Sequence, residues 1–288
     1  MAGPTIDQAF ITQFNRDLHL TYRQSTSKLR GLVRTDGQVV GSSVNFYKLG
    51  TVAAQRKARN GDIPVQNPDH SKVTATMVDR YIHLLVDQLD LTKLEVDLRN
   101  GYVQAGASAF GIETDQDIID ALSGGATVTL GDYGSTYDDN WTRNFALEAV
   151  RELDERFVPD DGKRFALITA AGWSHLMAID QFVRADYIGP DLPFRQMGIE
   201  ARTWLGVHWI KHQYLPGAGT ATCKNYLFHS SAVGHGINAD VSTQWQWKNE
   251  KWAWSMAGAM SMGAVAIDAN GIVECRVDDT AVLAAPTS

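Results

Sequence analysis

The sequence predicts an α+β protein with a long projecting β-hairpin, and three observations carry that expectation. Two runs patterned as β-strands, "GSSVNFYKLG" and "SKVTATMVDRYIHLLVDQLDL", flank a polar stretch with too little apolar surface to order itself by burial. An apolar stripe at helical spacing lies between residues 141 and 157. Much of the second half reads as short strands, including the tryptophan-rich ribbon "QWQWKNEKWAW".

Residues 1–30 have weak periodicity, as in an arm with a short helix near "AFITQFNRDLHLTYRQ". The start, "MAGPTIDQAF", lacks a basic segment followed by an apolar run, so no signal peptide is expected. In the second hairpin run, Val73, Ala75 and Met77 alternate with Thr74 and Thr76, the period of a strand. Fully extended, it would reach about 60 Å, more than a compact domain accommodates. The intervening "TVAAQRKARNGDIPVQNPDH" holds Gly61, Pro64, Pro68 and three basic residues. The simplest shape is a hairpin that leaves the body and becomes ordered against something else.

Helices come next. Leu94, Leu98, Tyr102, Ala105 and Ala109 recur at helical spacing. Thr114, with Asp117 three residues on, is expected to cap a second helix that ends at Gly124-Gly125. Asp138 or Asp139 is expected to cap "NWTRNFALEAVRELDERF", whose stripe is Ala146, Ala149, Val150, Leu153 and Phe157. Pro159 closes that helix, which would be roughly 27 Å long. "RFALITAAGWSHLMAI" reads as strand then helix, and "TWLGVHWI" and "NYLFH" as strands.

The ribbon is expected to turn at Lys248-Asn249-Glu250-Lys251, with Trp247 opposite Trp252 and Trp245 opposite Trp254. All four indoles then share one face, as core or subunit interface; a sugar- or base-stacking platform is the alternative. "AGAMSMGAVAID" and "IVECRVD" are expected to form a final hairpin on Asp-Ala-Asn-Gly.

Residues 1–72 carry ten Lys/Arg against five Asp/Glu, a net of +5; residues 73–288 carry sixteen against twenty-eight, a net of −12. That split suits a solvated basic tail or an arm that docks on the acidic body of another copy. The basic residues are too thinly spread, with too few aromatics among them, to suggest nucleic-acid recognition. No apolar run is long enough to span a membrane.

Recognisable chemistry is sparse. His208 and His212 in "HWIKH" lack the glutamate of a zinc-protease motif and lie in a strand-like context. "GGATVTLG" lacks the Gly-Lys-Ser/Thr of a phosphate loop, and Ser174-His175 lacks a nucleophile elbow. His229 and His235 read as structural. Cys223 and Cys275 form neither a metal-binding pair nor a disulfide framework. No catalytic residue, cofactor or metal is expected, and the chain reads as a non-enzyme.

The order of elements is specific. An arm, a long basic hairpin, helices ending at "DIIDAL", a beam helix closed by "FVP", then "KRFALITAAGWSHL" together resemble the major capsid proteins of tailed bacteriophages, the Hong Kong 97-type fold. "FRQMGIEARTWLGVHWIKHQYLP" and "MSMGAVAIDANGIVECRV" are similar to that family's later strands. The resemblance implies an N-terminal arm at 1–35, an extended loop at 36–88 and a peripheral domain from 89–160 and 241–280. It implies Trp141 to Phe157 as the spine helix, an axial domain at 161–240 with "GPDLP" and "PGAGT" as lip loops, and a tail at 281–288. It also implies a shell subunit enclosing phage double-stranded DNA without sequence-specific binding, in virions assembled in the bacterial cytoplasm.

The implied partners are other copies, as pentamers and hexamers, a portal, and separate scaffolding or decoration proteins. The arm starts almost at Met1, so a removable scaffolding segment and proteolytic maturation are not expected. Lys57 lies in a loop of the kind that some members cross-link to asparagine, but no partner asparagine is identified. Arg56, Lys57 and Arg59 are expected to face Glu148, Glu152, Asp154 and Glu155 of an adjacent copy. An encapsulin-like compartment and a glycan-binding or glycan-acting protein are the alternatives.

Overall fold

The computed structural model describes Gln24 and residues 26–37, 39–63, 65–89, 98–131, 140–179, 182 and 201–283. Its strands are β1 (Arg34–Gly37), β2 (Ser43–Leu49), β3 (His70–Thr76), β4 (Val78–Asp87), β5 (Val128–Leu130), β6 (Arg164–Ile168), β7 (Ala201–Trp204), β8 (Val207–Lys211), β9 (Cys223–His229), β10 (Val233–Lys248), β11 (Ala253–Ala266) and β12 (Ile272–Val277). The main helices are α1 (Leu98–Gly125), α2 (Arg143–Glu155) and α3 (Ala170–Met177). The strands form a four-stranded sheet, β1-β10-β11-β4, a six-stranded sheet, β5-β12-β9-β6-β8-β7, and the two-stranded β2-β3 hairpin.

The hairpin pairs Ser43 with Thr76 through Leu49 with His70. The long run predicted as one strand is divided at Met77: β3 stays in the hairpin, while β4 joins β11 in the body. That division resolves the excess length. The hairpin's base rests on β10, where Gly234 and Gly236 leave room for it. A Cβ on Gly234 would stand 2.6 Å from the Phe46 ring, and one on Gly236 2.7 Å from Val44 and Met77. Phe46 is buried with Ala75 and Ile267, and Lys48 Nζ reaches Asp268 at 2.7 Å.

Helix α1 is the beam of this fold. Its 28 residues span about 42 Å, against roughly 20 Å for the 13 residues of α2, which had been expected to be the spine. Thr114 is not a cap; its hydroxyl donates to Phe110 O inside the continuous helix, the internal alternative to a capping bond. One half of α1 covers the four-stranded sheet through Phe110, Met260 and Met262. The other half lies on the six-stranded sheet through Ile118, Ile119 and Leu122, where Leu29 and Val33 also insert. Helix α2 and Trp141 pack on that sheet's opposite face with Leu176 and Trp209.

Other corrections follow from hydrogen bonding. Thr142, not Asp138 or Asp139, caps α2; its side chain accepts from Phe145 N, and the two aspartates lie outside the described residues. Phe157 leaves the expected stripe, because the chain turns left-handed there (φ 58°) and the ring is 93% exposed. β11 and β12 are not a hairpin: β12 pairs with β9 and β5, while β11 pairs with β10 and β4. Sheet membership therefore groups β5, α2 and β12 with the strands of 161–240, and β10 with β11. "TWLGVHWI" is two strands joined at Leu205-Gly206, both at positive φ. The arm helix and "GPDLP" fall outside the described residues.

Phe46→Ala should cost about 3–5 kcal/mol. Hydrogen exchange is expected to quicken in β2 and β3 while the six-stranded sheet keeps its protection.

Candidate inter-subunit surfaces

Beyond the last hairpin pair, Gly50 N donates to Asp69 O at 2.8 Å and then the strands part. Thr51 to Asn60 are all exposed. A turn closes at the tip, where Gly61 N donates to Ala58 O at 3.0 Å and Asn60 adopts φ 65°. Lys57 Nζ donates to Gly61 O at 3.3 Å, and among the described residues Arg56, Lys57 and Arg59 have no carboxylate partner. Three cations thus stand on a segment that adds nothing to its own chain's core.

The acidic residues expected opposite them are engaged. Asp154 meets Arg164 at 2.7 Å, Glu152 meets Arg156 at 3.2 Å, and Glu148 and Glu155 flank Arg151 at 3.6 and 3.3 Å. The structure therefore brings the four carboxylates onto one helix but leaves that helix largely neutralised by arginines of its own chain.

The ribbon's register differs from expectation by two residues. Trp247 pairs with Trp254, Trp245 pairs with Met256, and the turn is Asn249 to Trp252. Trp252 sits in that turn at φ 48°, 59% exposed, against Trp247 at 5.4 Å between ring centroids. Trp245, Trp247 and Trp254 are half-buried on the sheet face that α1 covers further along. The parity was legible; the turn position was not, because Trp252 takes a left-handed conformation that bulky residues seldom adopt.

Sequence reading missed Asp115. Its buried carboxylate accepts from Gln24 Nε2, from Ser27 Oγ at 2.5 Å, and from Lys28 N and Leu29 N at 3.0 Å each. His212 Nε2, equally buried, lies 3.0 Å away at the end of β8. A signal existed: Asp115 continues the apolar stripe of Ile118, Ile119 and Leu122 at helical spacing, where an acid needs partners. Arg80, on β4, likewise pairs with Glu113 at 3.0 Å and with Asp117, tying the ribbon to α1.

The other candidates are structural. His208 bonds Thr203 Oγ1 and Gly162 O, His229 bonds Asp161 and Ser231, and Ser174 Oγ donates to Ala170 O. Cys223 and Cys275 are buried and unbridged, and burial pushes both thiols up. Among the described residues no group of three His, Cys, Asp or Glu is placed to hold a metal, and no helix is long and apolar enough to cross a membrane.

A family model described as "Phage capsid protein" matches residues 6–279. The chain belongs to the phage capsid protein family. The capsid structure of cyanophage P-SCSP1u is similar to this capsid protein with TM-score 0.76 at 14% identity, covering 96% of this chain and 95% of that one. A Mycobacterium phage Che8 structure is similar with TM-score 0.71 at 19% identity, covering 95% and 98%. The capsid of the native GTA particle gives TM-score 0.70 at 11% identity, covering 96% and 100%. No curated protein matches in sequence. The Hong Kong 97-type fold expected from the order of elements is thus the fold of this capsid protein.

In this capsid protein two buried groups, Asp115 and His235, respond to acid. Burial alone would raise the Asp115 carboxyl, but the bonds from His212, Ser27, Lys28 and Gln24 outweigh it and hold it below the usual range. Its stabilisation is complete above the ordinary carboxylate pKa and is lost as pH falls below it. His235 is fully buried, and neither ring nitrogen has a hydrogen-bond partner. Burial, helped by Arg30 and opposed by Asp240 and Asp115, pushes it down to about 4. A histidine held neutral in the fold contributes stability above its ordinary pKa of about 6.5, which drains away towards the folded value.

Chain stability should accordingly fall by about 3 kcal/mol between pH 6.5 and 4 through His235. Urea titrations of His235→Gln should be flatter across that window. Asp115→Ala should cost about 3–5 kcal/mol, since it leaves His212 and two backbone N–H groups buried without their acceptor.

Proposed function

We propose that this capsid protein closes into an icosahedral shell of pentamers and hexamers around double-stranded DNA, with the basic hairpin of each copy lying on its neighbour. The carrying observation is the hairpin: moored to its own body through Phe46 and Lys48, it exposes every residue from Thr51 to Asn60. A segment so poor in burial gains order from another molecule. Single exposed ion pairs contribute only about 0–1 kcal/mol. Repeated around a shell, they hold subunits while letting misplaced ones dissociate.

The net charge of −12 over residues 73–288 suits a container for a polyanion, whose wall should not grip its contents. A portal and separate scaffolding or decoration proteins are the further partners of this reading. The virion is its place of action, and the bacterial cytoplasm its place of assembly. The arm and loop assignments follow, with α1 as the spine of a peripheral part that includes β10 and β11, while β5, α2 and β12 go with the axial strands whose sheet they share.

Negative-stain microscopy of the expressed protein should show closed particles. The triple variant R56E/K57E/R59E should keep monomer stability within about 0.5 kcal/mol, as surface substitutions do. It should lose particles, or form them only in high salt. Particles indistinguishable from the parent's at low salt would remove the loop from assembly.

A further inference from the structure

Among the described residues, strand β10 carries an edge that its own chain leaves open. β1 pairs only with Gly234 to Ile237, and Val39 N donates to Ile237 O at 2.9 Å. Among the described residues no strand pairs with β10 beyond that point on this side. The pairing with β11 shifts twice before Ser242 and then runs regularly from Ser242 to Lys248. These seven residues span about 23 Å. They contain neither proline nor glycine, and no charge before Lys248. Folded proteins usually blunt such an edge or occupy it.

We propose that residues 51–57 of a second copy add to this edge as an antiparallel strand, with Thr51 opposite Lys248 and Lys57 opposite Ser242. This rests on the shell reading and specifies where its loop docks. Length suffices, since the exposed run from Thr51 to Ala58 has no helix or strand of its own and can supply seven residues. Pattern agrees as well. The register sets Val52, 58% exposed, beside Trp247 and Ala54 beside Trp245, apolar on half-buried indole. Thr51, Ala53, Gln55 and Lys57 fall on the other face with Lys248, Gln246, Gln244 and Ser242. A slip of one residue would exchange the two faces.

Charge selects the direction. Antiparallel entry carries Arg59 to the level of Asp240, whose side chain is 59% exposed while accepting from Arg30 at 2.8 Å and from Val241 N at 2.8 Å. Parallel entry would bring Arg56 and Lys57 against Lys248 and Lys251, with only Glu250 of that turn to offset them. The carboxylates of α2 have arginine partners too, so the choice of β10 rests on its open edge and side-chain pattern. Strand addition gives the loop's backbone the hydrogen bonds it lacks, and its side-chain pockets supply specificity.

The test is cross-linking in assembled particles of the full chain. The native thiols are buried, so introduced cysteines report alone. Ala53→Cys with Gln246→Cys should, on oxidation, deplete the single-chain band and give a ladder of linked chains on non-reducing gels. The off-register pair, Ala54→Cys with Gln246→Cys, should leave most chains single, because its thiols lie on opposite faces. Equal linkage by both pairs would overturn the register. Particles in which only Lys57→Cys with Glu152→Cys links would overturn the edge site and leave the shell reading standing. A parent protein that stays single by sedimentation at high concentration would overturn both.

Discussion

The carboxylate of Asp115 lies where three parts of the chain meet, and their relative placement depends on it. It sits inside α1, faces His212 at the end of β8, and gathers Gln24, Ser27 and two backbone N–H groups from the segment that enters β1. A buried carboxylate without partners is costly enough that any arrangement failing to deliver those donors is excluded. The interaction is therefore more selective than adhesive. It fixes where the arm joins the body, and Leu29 and Val33 then fill the core beside it.

From that point the molecule separates into a body that satisfies itself and extensions that do not. The six-stranded sheet is covered on both faces, by α2 and Trp141 on one side and by α1 with the arm on the other. The hairpin and the far half of the β10–β11–β4 ribbon are different. Their surfaces are exposed apolar side chains, free cations and open strand edges, features that a monomer rarely keeps without use. Membership of the capsid family fits that contrast, since the proposed docking of the loop on a neighbouring copy would complete the extensions.

Sequence patterning revealed the extensions better than the internal joints. The hairpin was legible because 51–69 is so poor in apolar residues, and the strand-helix run at 164–177 because an apolar strand there passes directly into a helix, which Thr169 caps. The long helix was missed as a unit: Thr114 looks like a cap, yet its hydroxyl bonds back within the helix and burial overrides the local preference. Sheet membership of β11 and β12 was also hidden. An Asp-Ala-Asn-Gly turn joins them either way, and only the rivals β9 and β10, distant in sequence, decide which pairs form. Among the candidate contacts, the basic residues stand on the exposed loop, and within the chain the carboxylates meant for them pair with Arg151, Arg156 and Arg164.

The seam between α1 and the ribbon has a mechanical consequence. It is lined largely by thioethers: Met256 reaches to 3.0 Å from where a Cβ on Gly106 would stand, and Met260 and Met262 are buried beside Phe110. Methionine repacks through three rotatable bonds where branched side chains would jam. A helix bedded on such a layer can tilt by a few degrees without opening voids. In the proposed shell, that give would let one polypeptide bend gently at the rim of a pentagon and lie flatter within a hexagon, the variation in curvature that any closed polyhedron built from identical tiles requires.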